Sequence, residues 1–219
     1  MTVLRVDASI QGVRSSSSAL ADLVMEPVAA RVPDEPVLRR HLGRHPLPAD
    51  AWALAVGGAH APADQQTAEQ RDALSLAKAV AAELSGADAA VLALPLYNWG
   101  VSQHVKAWID LAIIGGGSGA RLLEGKPVVL IVTRGGGYGP GTPKEGWDYA
   151  TPYQRRVLAE VWGADLTVVE RELTLVGVNP AMDALTDLAA VVKAVAEEEA
   201  KAAGHALAER LAGSTTAAA

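Results

Sequence analysis

The chain has 219 residues, half of them hydrophobic, which is enough to bury one sizeable core and excludes a disordered protein. The formal net charge of -6 is spread without a dominant block and argues against a nucleic-acid-binding surface. Cysteine is absent, so disulfides, thiolate catalysis, iron–sulfur clusters and cysteine zinc sites are excluded.

The first strand-like run covers 2–8 and lacks the charged-then-apolar layout of a signal peptide. No apolar stretch reaches the ~20 residues needed to span a bilayer, so the expectation is a soluble cytoplasmic protein without a membrane partner. After this run comes Ser9-Ile10-Gln11-Gly12-Val13-Arg14-Ser15-Ser16-Ser17-Ser18, and a helix is expected over 17–31. A second strand-like run covers 36–42. The stretch 46–62 then reads as an irregular Gly- and Pro-containing excursion, either a surface loop or a lid or dimer contact. Thr67-Ala68-Glu69-Gln70 resembles a capping box that opens a helix over 67–86.

The run 88–94 is unbroken and apolar, as suits a parallel strand covered on both faces. It ends in Leu94-Pro95-Leu96-Tyr97-Asn98-Trp99-Gly100, with a helix expected over 100–114. The run 126–133 closes on Thr133-Arg134-Gly135-Gly136-Gly137, and a helix over 150–163, a strand over 165–174 and a helix over 180–212 complete the pattern. Residues 213–219 read as a disordered tail. Five strands alternating with five helices predict a single α/β domain over 1–212. Its expected core is a doubly wound, five-stranded parallel sheet in the flavodoxin-like order 2-1-3-4-5, with helices on both faces.

Three strand ends carry ligand-binding chemistry. The turn after the first strand offers Ser hydroxyls, main-chain N–H groups and a helix dipole to a phosphate; the alternative is a flexible serine loop with one capping residue. The cluster after the third strand offers flat surface and hydrogen bonds to a planar, polar-edged ligand. The glycines after the fourth let main chain approach such a ligand and leave N–H groups free for the N1 and O2 edge of a flavin, where reduction places negative charge; alone they would read as a flexible turn. In a flavodoxin-like sheet these ends meet at one edge, near the junction of strands one and three, and the combination fits FMN. The dinucleotide pattern G-x-G-x-x-G does not follow strand one. A Walker A loop fails because Ala120 stands where glycine is required and Pro127 follows Lys126.

On these residues the sequence resembles the FMN-dependent NADH-azoreductases, also described as FMN-dependent NADH:quinone oxidoreductases. Further matches are the helix Ser102-Gln103-His104-Val105-Lys106-Ala107-Trp108-Ile109-Asp110 and Thr151-Pro152-Tyr153 with Trp162-Gly163. The resemblance implies that Ser9, Ser15, Ser16 and Ser17 hold the FMN phosphate. It sets Pro95, Leu96, Tyr97, Asn98 and Trp99 along the ring, and Thr133, Arg134, Gly135 and Gly136 at the pyrimidine edge. It also implies a homodimer with active sites near the interface and ping-pong transfer from NADH or NADPH through flavin N5 to quinones, azo compounds or similar flat acceptors. The flavin carries the chemistry, so no catalytic acid or base is expected. The family usually has Met-Tyr-Asn-Phe where this chain has Leu96-Tyr97-Asn98-Trp99. It also usually has a longer, aromatic-bearing segment in place of 115–121, which predicts a wider or more mobile entrance here.

Tyr138 and Tyr153 are further candidates for the substrate pocket, alongside Trp99. His104 reads as a surface or interface residue and Trp108 as packing; the other histidines show no metal-ligand spacing. Arg39, Arg40 and Arg121 are the cations available for a 2′-phosphate, though nothing in the sequence brings them to the site. The alternatives to an enzyme are a flavodoxin-like electron carrier and a redox- or ligand-sensing flavoprotein without turnover.

Overall fold

All five apolar runs become strands of one parallel sheet in the order β2-β1-β3-β4-β5. In the computed structural model, which describes residues 1–218, these are β1 (Val3–Asp7), β2 (Val37–His41), β3 (Ala89–Ala93), β4 (Pro127–Thr133) and β5 (Asp165–Arg171). The register sets Val3 against Val37 and Ala89, and Ala90 against Val128. β1 and β3 are buried throughout because helices cover both faces.

Side-chain alternation along the strands divides the core into two layers. Leu4, Val6, Leu92, Leu94, Leu130 and Val132 pack against α3 (Ala68–Gly86) and α4 (Gln103–Gly116). Val3, Val91, Val129 and Ile131 pack against α1 (Ser16–Arg31) and α6 (Thr186–Ala218). Trp108 is fully buried, as expected, with its ring 5.7 Å from Trp162 in an edge-to-face pair. Thr67 and Gln70 form the capping box read from the sequence.

Two stretches differ from expectation. The stretch 46–62, read as irregular, contains α2 (Ala51–His60). Its glycines suggested a loop, but a Cβ on Gly58 would come within 2.9 Å of Leu74 and 3.1 Å of Gln70, so this glycine admits close packing on α3. Ala51 and Ala55 complete that contact with Ala73 and Ala77. The helix expected over 150–163 is α5 (Ala150–Arg155) followed by a π-helical turn, Arg156–Val161. There are thus six α-helices among the described residues, one more than the five expected. The last of them begins after a 3₁₀ turn at Pro180–Leu185 and continues to Ala218. The final residue of the expected tail, Ala219, lies outside the described residues.

A Cβ on Gly115 would collide with the backbone of Ala77 and come within 2.8 Å of the Lys78 nitrogen, so glycine sets the approach of α4 to α3. Gly115→Ala is expected to cost roughly 1–3 kcal/mol from overpacking, beyond the ~1 kcal/mol that alanine gains in helix propensity. Thermal unfolding should show a midpoint several degrees lower, by about 2–4 °C per kcal/mol for a chain of this size.

Candidate functional site

The main-chain ladder continues past the strands and sets the loops at the carboxyl edge. Ala8 N–H donates to Ala93 O (3.0 Å), Leu94 N–H to Ile131 O (2.9 Å), Leu96 N–H to Thr133 O (3.0 Å) and Arg134 N–H to Arg171 O (2.8 Å). These bonds bring the turn after β1, the segment after β3 and the glycines after β4 around one cleft of about 340 Å³. That volume lies within the range of small-molecule sites, roughly 300–1,000 Å³.

At one end stands the N-terminus of α1. Ser15 is its N-cap: the Oγ accepts from Ser18 N–H at 3.1 Å and lies 3.2 Å from Ser17 Oγ. Both hydroxyls are buried and committed to the helix start, whereas Ser9 and Ser16 line the cleft with Gln11 and Arg14. The N–H groups of Ser16 and Ser17, in the first turn, have no intrahelical acceptor, so this end is a ready anion site. Below it, the Arg5 guanidinium binds Asp7 (2.8 Å), Asp22 (2.5 Å) and the Ser18 carbonyl (3.2 Å). Burial opposes the Arg5 cation, but its bonds to Asp7 and Asp22 raise its pKa, so the buried charge persists and ties α1 to β1.

The middle of the cleft is formed by Pro95, Leu96, Tyr97 and Asn98. Tyr97 spans from the end of β3 to the turn after β1, where its hydroxyl accepts from Ile10 N–H at 3.2 Å and lies 3.4 Å from Ser9 Oγ. Tyr97 and Gly100 exchange both main-chain hydrogen bonds, and Asn98 (φ 46°) and Trp99 (φ 65°) between them are left-handed. Two central residues with positive φ define a type I′ turn, common for Asn but strained for Trp. The turn sends Trp99 outward, 46% exposed, into a side recess with Trp147 and Tyr149, with its ring 6.1 Å from that of Trp147.

Thr133, Gly135 and Gly136 line the far end of the cleft with Tyr138, Lys144, Thr174, Leu175 and Val178. A Cβ on Gly135 would meet Leu175 at 2.7 Å, so main chain alone fits there. Arg134 turns away from the cleft and is 7% exposed. Its guanidinium binds Asp148 (2.6 Å), Glu170 (2.8 Å), Thr151 Oγ1 (3.0 Å) and Glu172 (3.4 Å), joining β4, β5 and the loop over 135–149. Burial opposes this cation, while Glu170 and Asp148 raise its pKa. Burial likewise opposes the Asp148 carboxylate, yet bonds from Thr151 and then Arg134 hold its pKa below the usual range. Burial lifts the Tyr138 hydroxyl above its ordinary pKa, with Asp148 and Glu172 adding to the shift, so it faces the cleft protonated.

Most of the residues singled out in the sequence therefore meet at one cleft. Ser15, Ser17 and Arg134 support its walls through their side chains without lining it, Trp99 stands beside it, and Tyr153 packs against the core layer of α3 and α4. Segment 115–121 lies at the opposite, amino edge of the sheet: Leu123 and Gly125 bond to Trp162 and Gly163 just before β5, and Arg121 pairs with Glu124. It does not line the entrance that it was expected to shape. Arg40 pairs with Glu83 of α3, also away from the cleft. Thr174, Leu175 and Val178 were missed, although the expected order 2-1-3-4-5 already set the end of β5 beside that of β4. Lys144 was also missed, as a lone cation beyond the glycines.

One end of the cleft carries Arg14 with hydroxyl and N–H donors, its middle is formed by Pro95, Leu96, Tyr97 and Asn98, and its far end sets the main chain of Gly135 and Gly136 beside Tyr138 and Lys144. The protein is thus an α/β protein of the flavodoxin type. A family model described as a flavodoxin-like fold matches residues 1–206. The FMN-dependent NADH:quinone oxidoreductase of a Parafrankia species is 36% identical over 208 residues, spanning 91% of this chain and 96% of that protein. The same-named protein of Streptomyces avermitilis is 35% identical over 220 residues, spanning 96% and 99%. The chain belongs to this family of oxidoreductase enzymes. Among solved structures, azoreductase AzrA superposes with a TM-score of 0.74 at 21% identity over 94% of this chain and 99% of that one, a likeness of fold.

Asp148→Asn is expected to destabilise the protein by about 1–3 kcal/mol at pH 7, the range for losing a buried charge-assisted bond. A carboxylate with a depressed pKa contributes stability above its unfolded value, near 4, and loses it as pH falls through the folded value. Denaturant unfolding should therefore show the gap between variant and parent in full at pH 7 and closing below about pH 4.

Proposed function

We propose that residues 1–212 form a single FMN-binding domain that passes two electrons from NADH or NADPH to quinones, azo compounds or similar flat aromatic acceptors, in ping-pong order. The observation that carries this reading is one cleft joining the α1 N-terminus, the segment over 95–98 and the glycines after β4. Its donor set suits FMN. Ser9, Ser16, Arg14 and the first N–H groups of α1 would hold the phosphate, with Ser15 and Ser17 shaping that turn. Pro95, Leu96, Tyr97 and Asn98 would lie along the ring, and Thr133, Gly135 and Gly136 would meet the pyrimidine edge. When bound, FMN supplies the hydride acceptor and the two-electron donor. The chain's own residues orient the ring, present N–H dipoles where charge develops and leave one face for donor and acceptor in turn.

Trp99, Trp147 and Tyr149 are 46%, 49% and 68% exposed beside the cleft mouth. They support a role in acceptor choice and a homodimer that covers them. Among the described residues no helix is long and apolar enough to cross a membrane; the reading takes a small-molecule acceptor met in the cytoplasm.

The test is a visible spectrum of the FMN-loaded protein, followed by anaerobic NADH and then a benzoquinone. A flavin spectrum that bleaches with NADH and returns with quinone is expected. Failure to bind added FMN would overturn the cofactor assignment, and bound flavin that resists NADH would overturn the enzyme reading in favour of a carrier or sensor. Arg14→Gln should weaken FMN on the order of tenfold, about 1.4 kcal/mol, by titration. Trp99→Phe should change the ratio of kcat/KM between small and bulky quinones while leaving FMN affinity within about twofold.

A further inference from the structure

From the cleft's charge distribution we infer that Lys144 is the cation facing the pyrimidine edge of the cofactor and that it favours the reduced state of that cofactor. The inference rests on the FMN reading above. Two cations line the cleft, Arg14 at the phosphate end and Lys144 at the glycine end. The Lys144 ammonium lies 3.6 Å from where a Cβ on Gly136 would sit, so it stands over the same bare main chain. It is held there by the Tyr138 ring, 5.5 Å away at the centroid, and by a folded loop in which Trp147 N–H donates to the Lys144 carbonyl at 3.0 Å.

The surrounding carboxylates have other partners. Glu172 accepts from Tyr138 N–H at 2.9 Å and pairs with Arg134, Asp148 pairs with Arg134 at 2.6 Å, and Glu145 accepts from Gly141 N–H at 2.8 Å. Among the described residues Lys144 has no ion pair, so its charge is available to a ligand. A hydride from the nicotinamide carries two electrons and one proton. Its transfer converts NADH to NAD⁺ and leaves the accepting ring with one additional negative charge, and a fixed cation beside that charge binds the reduced ring more tightly than the oxidised one. Arg14 meets a phosphate charge that is the same in both states and supplies no such preference.

The experiment uses the full chain and FMN. Parent, Lys144→Met and Lys144→Arg are titrated with oxidised FMN, and the midpoint potential of each loaded protein is measured against a reference dye. Lys126→Met, at the amino edge of the sheet, is the control for net charge. Lys144→Met should bind oxidised FMN within about twofold of the parent, while the preference for reduced over oxidised FMN falls roughly tenfold. This factor comes from Coulomb attraction of unit charges a few ångström apart, discounted for the open setting. It corresponds to a midpoint about 30 mV lower for a two-electron couple. Lys144→Arg should keep most of the preference and Lys126→Met all of it.

Equal midpoints for the parent and Lys144→Met would overturn the inference while leaving FMN binding intact. An equal fall in Lys144→Arg and Lys144→Met would do the same by showing a packing effect. A parent that fails to bind FMN would overturn the reading of the cleft on which the inference rests.

Discussion

The ladder of parallel main-chain hydrogen bonds is the constraint on which the site depends. Because β1, β3, β4 and β5 run in one direction, the segments that follow them emerge at one edge. The bonds from Ala8, Leu94, Leu96 and Arg134 extend the ladder beyond the strands, so the loops leave at matched heights. Chain far apart in sequence is thereby held at a common level. The two core layers keep the sheet in that register, since a one-residue slip would exchange Leu92 and Leu130 for Val91 and Val129 on the wrong faces.

Two buried arginines carry this order into the loops. Arg5 joins β1 to α1 just beneath the serine turn, and Arg134 joins β4, β5 and the start of α5 beneath the glycine turn. A buried guanidinium is tolerable because several carboxylates and oxygens share it, and removing one partner leaves the charge exposed to a poor solvent. Both arginines thus brace the walls of the cleft from behind the residues that line it. The left-handed Trp99 is the opposite case, a strained residue that a tight turn holds outside the core.

Much of the site was legible because local chemistry and expected topology agreed. Serines before a helix, an aromatic-amide pair after a buried strand and a glycine run after the next are each ambiguous, but a sheet in the order 2-1-3-4-5 leaves them only one place to meet. Side-chain direction was not legible. Ser15 and Ser17 resembled Ser16 in sequence, yet a cap must turn one hydroxyl back onto the helix, and the next turn buries another beside it. Arg134 stood next to the glycines, but alternation along β4 and the acidic residues of β5 and the α5 start drew its side chain away. α2 was missed because Gly57 and Gly58 signal a turn locally, and only the surface of α3 explains a glycine inside that helix.

From its sequence alone, this protein's fold class, strand order, helix cap at Thr67 and three chemical patches could be stated, because periodicity, capping and strand-end composition are local signals. Only the tertiary structure decided which of those residues face the cleft, that 115–121 lies at the far edge of the sheet, and that Thr174, Leu175 and Lys144 complete the glycine end of the cleft. The reason is that such facts depend on pairings between distant segments. Which way Arg134 turns is set by Asp148, Glu170 and Glu172 together, and what Lys144 faces is set by a loop that folds back over Gly136.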